Sequence, residues 1–210
     1  MHNSNDNPHV NEYQHVAIIL VDMINDFDFP EADMLFESAL PAAKNIANLK
    51  KQAKELDIPV LYVNDNYGRW QSDFPALVGH CKDRTDYGKK ITELIEPEDN
   101  DYFILKPQYS GFFMTPLELL LDYLNVKSLI ITGVAGNMCV HFTANDAFMR
   151  GYKLYIPSDC TASNRNKDNK EALDLMREVL HANIDDSTNL NLKTIKYEWT
   201  DESGKTIDKN

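Results

Sequence analysis

The chain has 210 residues, 43% of them apolar and 26% charged, which is enough to bury the core of one sizeable domain. Its formal net charge of -12 opposes binding to nucleic acids and anionic membranes, because both are polyanions. The cysteines are odd in number, three, and none of them forms a C-x-x-C motif, which argues against a disulfide framework or a structural zinc site.

The two ends of the chain are polar and lack periodicity. We therefore expect flexible tails at 1–14 and 197–210 around one domain at 15–196. No apolar window of about 18 residues occurs, so no membrane span is predicted. The N-terminus also lacks an apolar signal segment, and we expect a cytoplasmic protein.

Between these ends, predicted strands alternate with predicted helices. Continuous apolar runs such as HVAIILVD are typical of strands covered on both faces. Strands are predicted at 15–22, 59–65, 101–107, 128–134 and 151–159, with a weak sixth strand within 184–195. Helices are predicted at 37–56, 88–95, 115–125 and 168–183 and after the fourth strand, whereas 66–87 is predicted to be irregular. This alternation predicts an α/β fold with a parallel sheet between two helical layers.

Three chemically distinct side chains follow predicted strands. Asp22 follows the first strand, Lys106 the third and Cys139 the fourth. Ligands of parallel sheets bind beyond the carboxyl ends of the strands, and neighbouring strands lie about 4.8 Å apart, so these side chains can converge.

The convergence suggests a nucleophile hypothesis. Cys139 lies near a helix start, where free N–H groups and the helix dipole favour a thiolate, and Lys106 would stabilise that charge. Asp22 would hold the thiol proton and later deliver it to a leaving amine. Each residue alone has a plainer interpretation, as a turn former, a solvated amine and a small buried residue, so only the joint arrangement favours catalysis.

The long stretch NDNYGRWQSDF (64–74) after the second strand is the predicted substrate-contacting segment. Its amides offer hydrogen bonds, and aromatic residues after other strand ends offer apolar walls, although core packing is the alternative for each aromatic. The predicted substrate-binding residues are Phe27, Asn64, Asn66, Trp70, Tyr109 and Phe112.

Three blocks of this sequence resemble the signature blocks of the isochorismatase-like hydrolases, also called the cysteine hydrolase superfamily. They are ILVDMINDF (19–27), KPQYSGFFMTPLELLL (106–121) and ITGVAGNMCVHFTANDAFMRGY (131–152), in the family's order. The resemblance spans roughly residues 15–190. It implies a Rossmann-like three-layer fold with a six-stranded parallel sheet and an Asp22–Lys106–Cys139 triad. It also implies a cis peptide bond at Val134–Ala135 and an oxyanion site made by the N–H groups of Ala135 and Cys139.

The resemblance further implies an activity. Family members with the cysteine are amidases such as nicotinamidases and N-carbamoylsarcosine amidases, whereas isochorismatases cleave a vinyl ether and need no thiol. Cys139 together with Lys106 therefore favours hydrolysis of a small amide or related C–N bond through a thioester. The alternatives are a vinyl-ether hydrolase, a nicotinamidase and a non-catalytic binding protein on the same fold. The family also suggests a homodimer or homotetramer that binds a small-molecule substrate.

Departures from the family pattern narrow this expectation. Nicotinamidases share a D-x-H metal motif after the second strand. Here Asp65 matches the Asp, but Tyr67 stands at the position of the His. One Asp is too few ligands for a metal, so no metal and no other cofactor are expected, and nicotinamide is disfavoured as substrate. Gly136-Asn137 replaces the usual Thr-Asp, and Ile24 replaces a common Gln, which indicates a branch with its own substrate.

Overall fold

The structure of the protein, a computed structural model, describes residues 15–68 and 73–198. The predicted tail at 1–14, most of the predicted tail at 197–210, and the predicted contact residue Trp70 lie outside the described residues.

Six parallel strands form one sheet in the order β3-β2-β1-β4-β5, with β6 pairing beside β4. The central strands are buried along their whole length, as expected of strands covered on both faces. The predicted Rossmann-like three-layer fold is confirmed. The strands are β1 Val16–Val21, β2 Val60–Asp65, β3 Tyr102–Lys106, β4 Ser128–Val134, β5 Lys153–Tyr155 and β6 Thr161–Ala162.

Two helical layers enclose the sheet and form two separate cores. One core joins the sheet to α1, α3 and α7 through residues such as Ile46, Ile91 and Ile195. The other joins it to α4, α5 and α6 through residues such as Leu117 and Met176. The helices are α1 Ala32–Glu55, α2 Phe74–Arg84, α3 Asp86–Leu94, α4 Leu117–Tyr123, α5 His141–Met149, α6 Asn166–Leu180 and α7 Leu192–Tyr197.

The stretch predicted to be irregular contains a helix, α2. The Asp73 side chain accepts a hydrogen bond from the Ala76 N–H at 3.0 Å, which caps the helix start, and Pro75 follows that cap. Within α2 only Phe74 and Cys81 are buried, so its apolar periodicity is too weak to reveal a helix.

The sixth strand lies elsewhere in the chain than predicted. It is Thr161–Ala162, which pairs with Gly133 and Val134 of β4, whereas 192–197 forms α7. Two residues are too few to show a strand period. The apolar residues at the end of the chain suggested a strand, but Leu192 and Ile195 are three apart and pack as one helical face.

No helix within residues 15–68 and 73–198 is both long enough and apolar enough to cross a bilayer.

Candidate active site

Asp22 is fixed at the carboxyl edge of the sheet immediately after β1. Its backbone N–H donates to the carbonyl oxygen of Val63 at 2.9 Å, which continues the pairing of β1 with β2. Its φ of 49° turns the chain away from the strand, and its Oδ1 accepts a hydrogen bond from the Asp65 N–H at 2.7 Å. The carboxyl group is therefore held by neighbouring backbone and faces the end of the sheet.

Lys106 ends β3 and is completely buried. Its Nζ lies 2.7 Å from Oδ2 of Asp22 and donates to Sγ of Cys139 at 3.4 Å. Because β2 separates β1 from β3, the long lysine side chain has to cross one strand to reach the carboxylate. Lys106 thus contacts both of the other residues that were predicted to converge with it.

Cys139 lies in a π-helical turn, Gly136–Val140, between β4 and α5. The Val134–Ala135 peptide bond before this turn is cis, at the position that the family resemblance implies. The carbonyl oxygen of Ala135 accepts hydrogen bonds from the N–H groups of Met138 at 2.9 Å and Val140 at 3.2 Å. These bonds close the chain around the cysteine, whose side chain keeps partial access to solvent.

Two polar residues that the sequence analysis did not identify, Ser163 and Asn169, support this turn through hydrogen bonds. The Asn137 N–H donates to Oγ of Ser163 at 3.2 Å, and that hydroxyl donates to Oδ1 of Asn169 at 3.0 Å. Asn169 lies on α6, and a side chain at Gly136 would place its Cβ only 2.0 Å from Oδ1 of Asn169. Nothing in the local sequence marks Ser163 or Asn169, since their role depends on β6 and α6 packing against the turn.

Burial and the neighbouring charges together shift the pKa values of the three side chains. Burial raises the pKa of Asp22, and the positive charge of Lys106 opposes that shift. Burial and the charge of Asp22 raise the pKa of Cys139 to about 12, again against the effect of Lys106. Burial lowers the pKa of Lys106, but the charges of Asp22 and Cys139 outweigh it, so the net shift is upward.

These shifts correct the expectation of a thiolate at rest. The raised pKa of Cys139 favours the protonated thiol over the expected thiolate. Desolvation and the adjacent Asp22 carboxylate outweigh the Lys106 charge that was expected to favour a thiolate. The elevated pKa of Asp22 also makes its carboxylate a better proton acceptor than an exposed aspartate.

A cavity of about 510 Å³ lies between the loops after β1 and β2, the end of β3 and α2, and its described lining does not include Asp22, Lys106 or Cys139. Asn66, one of the predicted substrate-binding residues, lines it, and its N–H donates to the carbonyl oxygen of Lys106 at 3.1 Å. The described lining residues are Asp26, Asp28, Asn66, Tyr67, Asp73, Ala76, Leu77, His80, Arg84 and Leu105.

Four other predicted contact residues lie outside this described lining. Phe27 and Phe112 are 3% and 5% exposed and belong to the two cores, so their prediction as pocket walls is corrected to core packing. Asn64 is buried, and its Nδ2 donates to the carbonyl oxygen of Ile24 at 2.7 Å, which braces the loop after β1. Tyr109 is half-exposed and packs its ring 5.4 Å from that of Phe142, on the α5 side of the sheet.

The residues near Asp65 do not fit the divalent metal of the D-x-H pattern. Asp65 Oδ1 accepts the Tyr67 N–H at 2.6 Å, and burial raises the pKa of the Tyr67 phenol, which keeps it protonated and a poor ligand. His80 instead pairs its Nε2 with Oδ2 of Asp26 at 3.0 Å. Within the two described segments, no group of three His, Cys, Asp or Glu side chains is placed to hold a metal ion.

We expect iodoacetamide to modify Cys139 before the other two cysteines in the native protein. Cys81 and Cys160 are fully buried, whereas Cys139 has partial access. Since its pKa is raised from 9.0 to about 12, its alkylation rate should still rise about tenfold per pH unit between about pH 8 and 10. Peptide mass mapping after timed alkylation measures both effects. Equal labelling of Cys81, or a rate that levels off near pH 8, would contradict this assignment.

The protein is thus a three-layer α/β protein whose parallel sheet carries a buried Asp–Lys pair beside a cysteine. A family model described as "Isochorismatase domain" matches residues 16–185. The isochorismatase family protein YaaI of Bacillus subtilis (strain 168) is 45% identical over 168 residues, which cover 80% of this chain and 92% of YaaI. The chain therefore belongs to the isochorismatase family and is an isochorismatase-like hydrolase.

Two further relatives carry amidase names. The ureidoacrylate amidohydrolase RutB of Cronobacter sakazakii (strain ATCC BAA-894) is 27% identical over 175 residues, covering 69% of this chain and 73% of RutB. The crystal structure of the nicotinamidase SaPncA from Staphylococcus aureus is similar with a TM-score of 0.63 and 26% identity, covering 82% of this chain and 98% of SaPncA. The homologues of this hydrolase thus include amidase-type enzymes.

Proposed function

We propose that the protein hydrolyses a small amide or related C–N bond through a thioester on Cys139. The observation that supports this most directly is the contact of Lys106 Nζ with both Asp22 Oδ2 at 2.7 Å and Cys139 Sγ at 3.4 Å. This arrangement supports a role for Cys139 as nucleophile, for Asp22 as proton acceptor and for Lys106 as a fixed positive charge. The amidase names of RutB and SaPncA agree with a C–N bond as the target.

The first half-reaction forms the thioester. Asp22 accepts the thiol proton as Sγ of Cys139 attacks the substrate carbonyl carbon, and the carbonyl π electrons move to oxygen. We assign the N–H groups of Ala135 and Cys139 to the resulting oxyanion, because the turn after β4 wraps around the sulfur. When the oxyanion collapses, the C–N bond breaks and Asp22 returns the proton to the leaving nitrogen.

The second half-reaction releases the acid. Asp22, again ionised, removes a proton from water, whose oxygen attacks the thioester carbonyl carbon. The C–S bond then breaks, and the proton returns to sulfur as the carboxylic acid or carbamate leaves. Lys106 stays protonated throughout, which its raised pKa supports, and its charge stabilises the sulfur whenever the sulfur is anionic.

The test is a panel of small amides and ureido compounds with ammonia detection, applied to the wild-type chain, Cys139→Ala and Cys139→Ser. We expect both variants to lose at least roughly 10³-fold in kcat/KM. Mass spectrometry of quenched wild-type reactions should show an acyl adduct on the peptide that contains Cys139.

Three results would favour other functions. Ammonia release that survives in Cys139→Ala would overturn the thioester mechanism. Cleavage of isochorismate by both the wild-type chain and Cys139→Ala would indicate a vinyl-ether hydrolase. Saturable binding of a small molecule without turnover, unchanged in Cys139→Ala, would indicate a binding protein.

A further inference from the structure

A short stretch of chain that runs from β6 to Ser163 holds the backbone before and after Ala135. Before Ala135, the two residues of β6 pair in parallel with the last two residues of β4. After it, the Asn137 N–H donates to Oγ of Ser163 at 3.2 Å. The backbone that leads into Cys139 is thus fixed at two points, and between them lies the Ala135 N–H that we assigned to the oxyanion.

The Ser163 hydroxyl accepts from Asn137 because its own proton is directed elsewhere. Asn169 on α6 sets this direction, since its Nδ2 donates to Oγ1 and to the carbonyl oxygen of Thr161 at 3.2 and 3.4 Å. A carbonyl oxygen only accepts, so the Asn169 amide turns its Oδ1 toward Ser163, whose Oγ donates to it at 3.0 Å. The direction of every hydrogen bond in this chain therefore follows from the orientation of Asn169.

The turn packs closely against these two side chains. A Cβ built on Gly136 would lie 2.0 Å from Oδ1 of Asn169 and 3.3 Å from Oγ of Ser163, and Ser163 is only 1% exposed. Three residues after Gly136, Sγ of Cys139 accepts from Nζ of Lys106 at 3.4 Å. A displacement of the turn by about 1 Å would weaken this contact, and misplacements of that size cost enzymes about 10²-fold in rate.

From these contacts we infer that Ser163 and Asn169 are positioning residues of the hydrolase, which keep the Cys139 sulfur beside Lys106 and the oxyanion N–H groups in place. The inference rests on the proposed function and adds two residues to its site. Both residues act through the turn rather than by contact with the substrate. Loss of either side chain should therefore slow the chemical step more than it weakens substrate binding.

Ser163→Ala and Asn169→Ala test the inference with an amide that the substrate panel identifies. We expect each variant to lower kcat roughly ten- to a hundredfold and to change KM by less than about threefold. Since the two side chains act in one chain of hydrogen bonds, the double variant should lose no more than about threefold beyond the less active single variant. A KM effect larger than the kcat effect, or losses that multiply in the double variant, would overturn the inference.

Ser187→Ala is the matched control. Ser187 is also a buried serine, and its backbone N–H and its Oγ each donate to the Asp159 carboxylate at 2.7 Å, which joins the chain after β5 to the segment before α7. Its replacement should lower the stability to urea about as much as Ser163→Ala does but leave kcat unchanged. An equal loss of kcat in Ser187→Ala would indicate a general effect of stability and would overturn the inference. Asn169 is only partly buried on α6, where alanine favours the helix, so Asn169→Ala decides the test if Ser163→Ala does not fold.

The alkylation rate of Cys139 separates this inference from the proposed function, because it needs no amide substrate. At about pH 8, iodoacetamide should modify Cys139 roughly three- to tenfold more slowly in Ser163→Ala and Asn169→Ala, and at the wild-type rate in Ser187→Ala. The reason is that a displaced sulfur loses the Lys106 charge, which favours its thiolate. If the wild-type protein hydrolyses no amide, the proposed function fails and this rate alone decides the inference. A rate in Asn169→Ala equal to or above that of the wild type would overturn it.

Discussion

Lys106→Met should lower kcat/KM by at least roughly 10³-fold and the free energy of unfolding by about 3–5 kcal/mol. The methionine fills most of the lysine volume but removes the positive charge that lies 2.7 Å from the Asp22 carboxylate. Lys106 is completely buried, so water cannot replace its ammonium group beside that carboxylate. Chemical denaturation and steady-state kinetics with the same amide measure the two losses.

A double-mutant cycle separates the structural from the catalytic part of this loss. Asp22→Asn combined with Lys106→Met leaves no buried charge unpaired, so it should recover much of the stability that Lys106→Met loses. Activity should not recover, because both the proton acceptor and the fixed charge are missing. If Lys106→Met were as stable as the wild type, or if the double variant regained activity, this account of the pair would be refuted.

Gly133→Ala is expected to lower the free energy of unfolding by at least about 3 kcal/mol, and it should prevent folding if the strands cannot separate. Gly133 has a φ of +114°, and a Cβ there would lie 2.1 Å from the carbonyl oxygen of Val21. Both residues belong to the central strand pair, β1 and β4, whose backbones are fixed by sheet hydrogen bonds. Urea unfolding monitored by circular dichroism measures the effect.

Two other glycines serve as controls for this substitution. A Cβ at Gly79 on α2 meets nothing within 4 Å, so Gly79→Ala should be neutral or stabilising by up to about 1 kcal/mol. Gly151 has a φ of +81° and open space around it, so Gly151→Ala measures backbone strain without a clash, about 1–2 kcal/mol. If Gly133→Ala cost no more than Gly151→Ala, the close approach of Val21 would not be the cause.

The convergence of the triad could be predicted because it follows from topology. Asp22, Lys106 and Cys139 each come after an apolar run, and all parallel strands of one sheet end at the same edge. The family resemblance added the order of the blocks and the position of the cis bond. The contacts of Lys106 with Asp22 and Cys139 agree with that reasoning.

The walls of the site could not be predicted in the same way. Phe27 and Phe112 follow strand ends as the pocket hypothesis requires, yet both pack into the cores. Whether an aromatic ring turns inward or toward the cavity depends on helices that come from distant parts of the chain. The contribution of α2 to the cavity was missed for a related reason, since that helix buries only two residues and has little apolar periodicity.

The sequence by itself determined the class of fold, the main strands except the short sixth one, and the identity of the three side chains at the strand ends. These features are local, because apolar runs and the residues that follow them can be recognised without knowing what packs against them. Only the tertiary structure decided that burial and the Asp22 carboxylate raise the pKa of the Cys139 thiol, and that Ser163 and Asn169 support its turn. Those properties depend on desolvation and on charges brought together from distant parts of the chain, and these act only once the chain has folded.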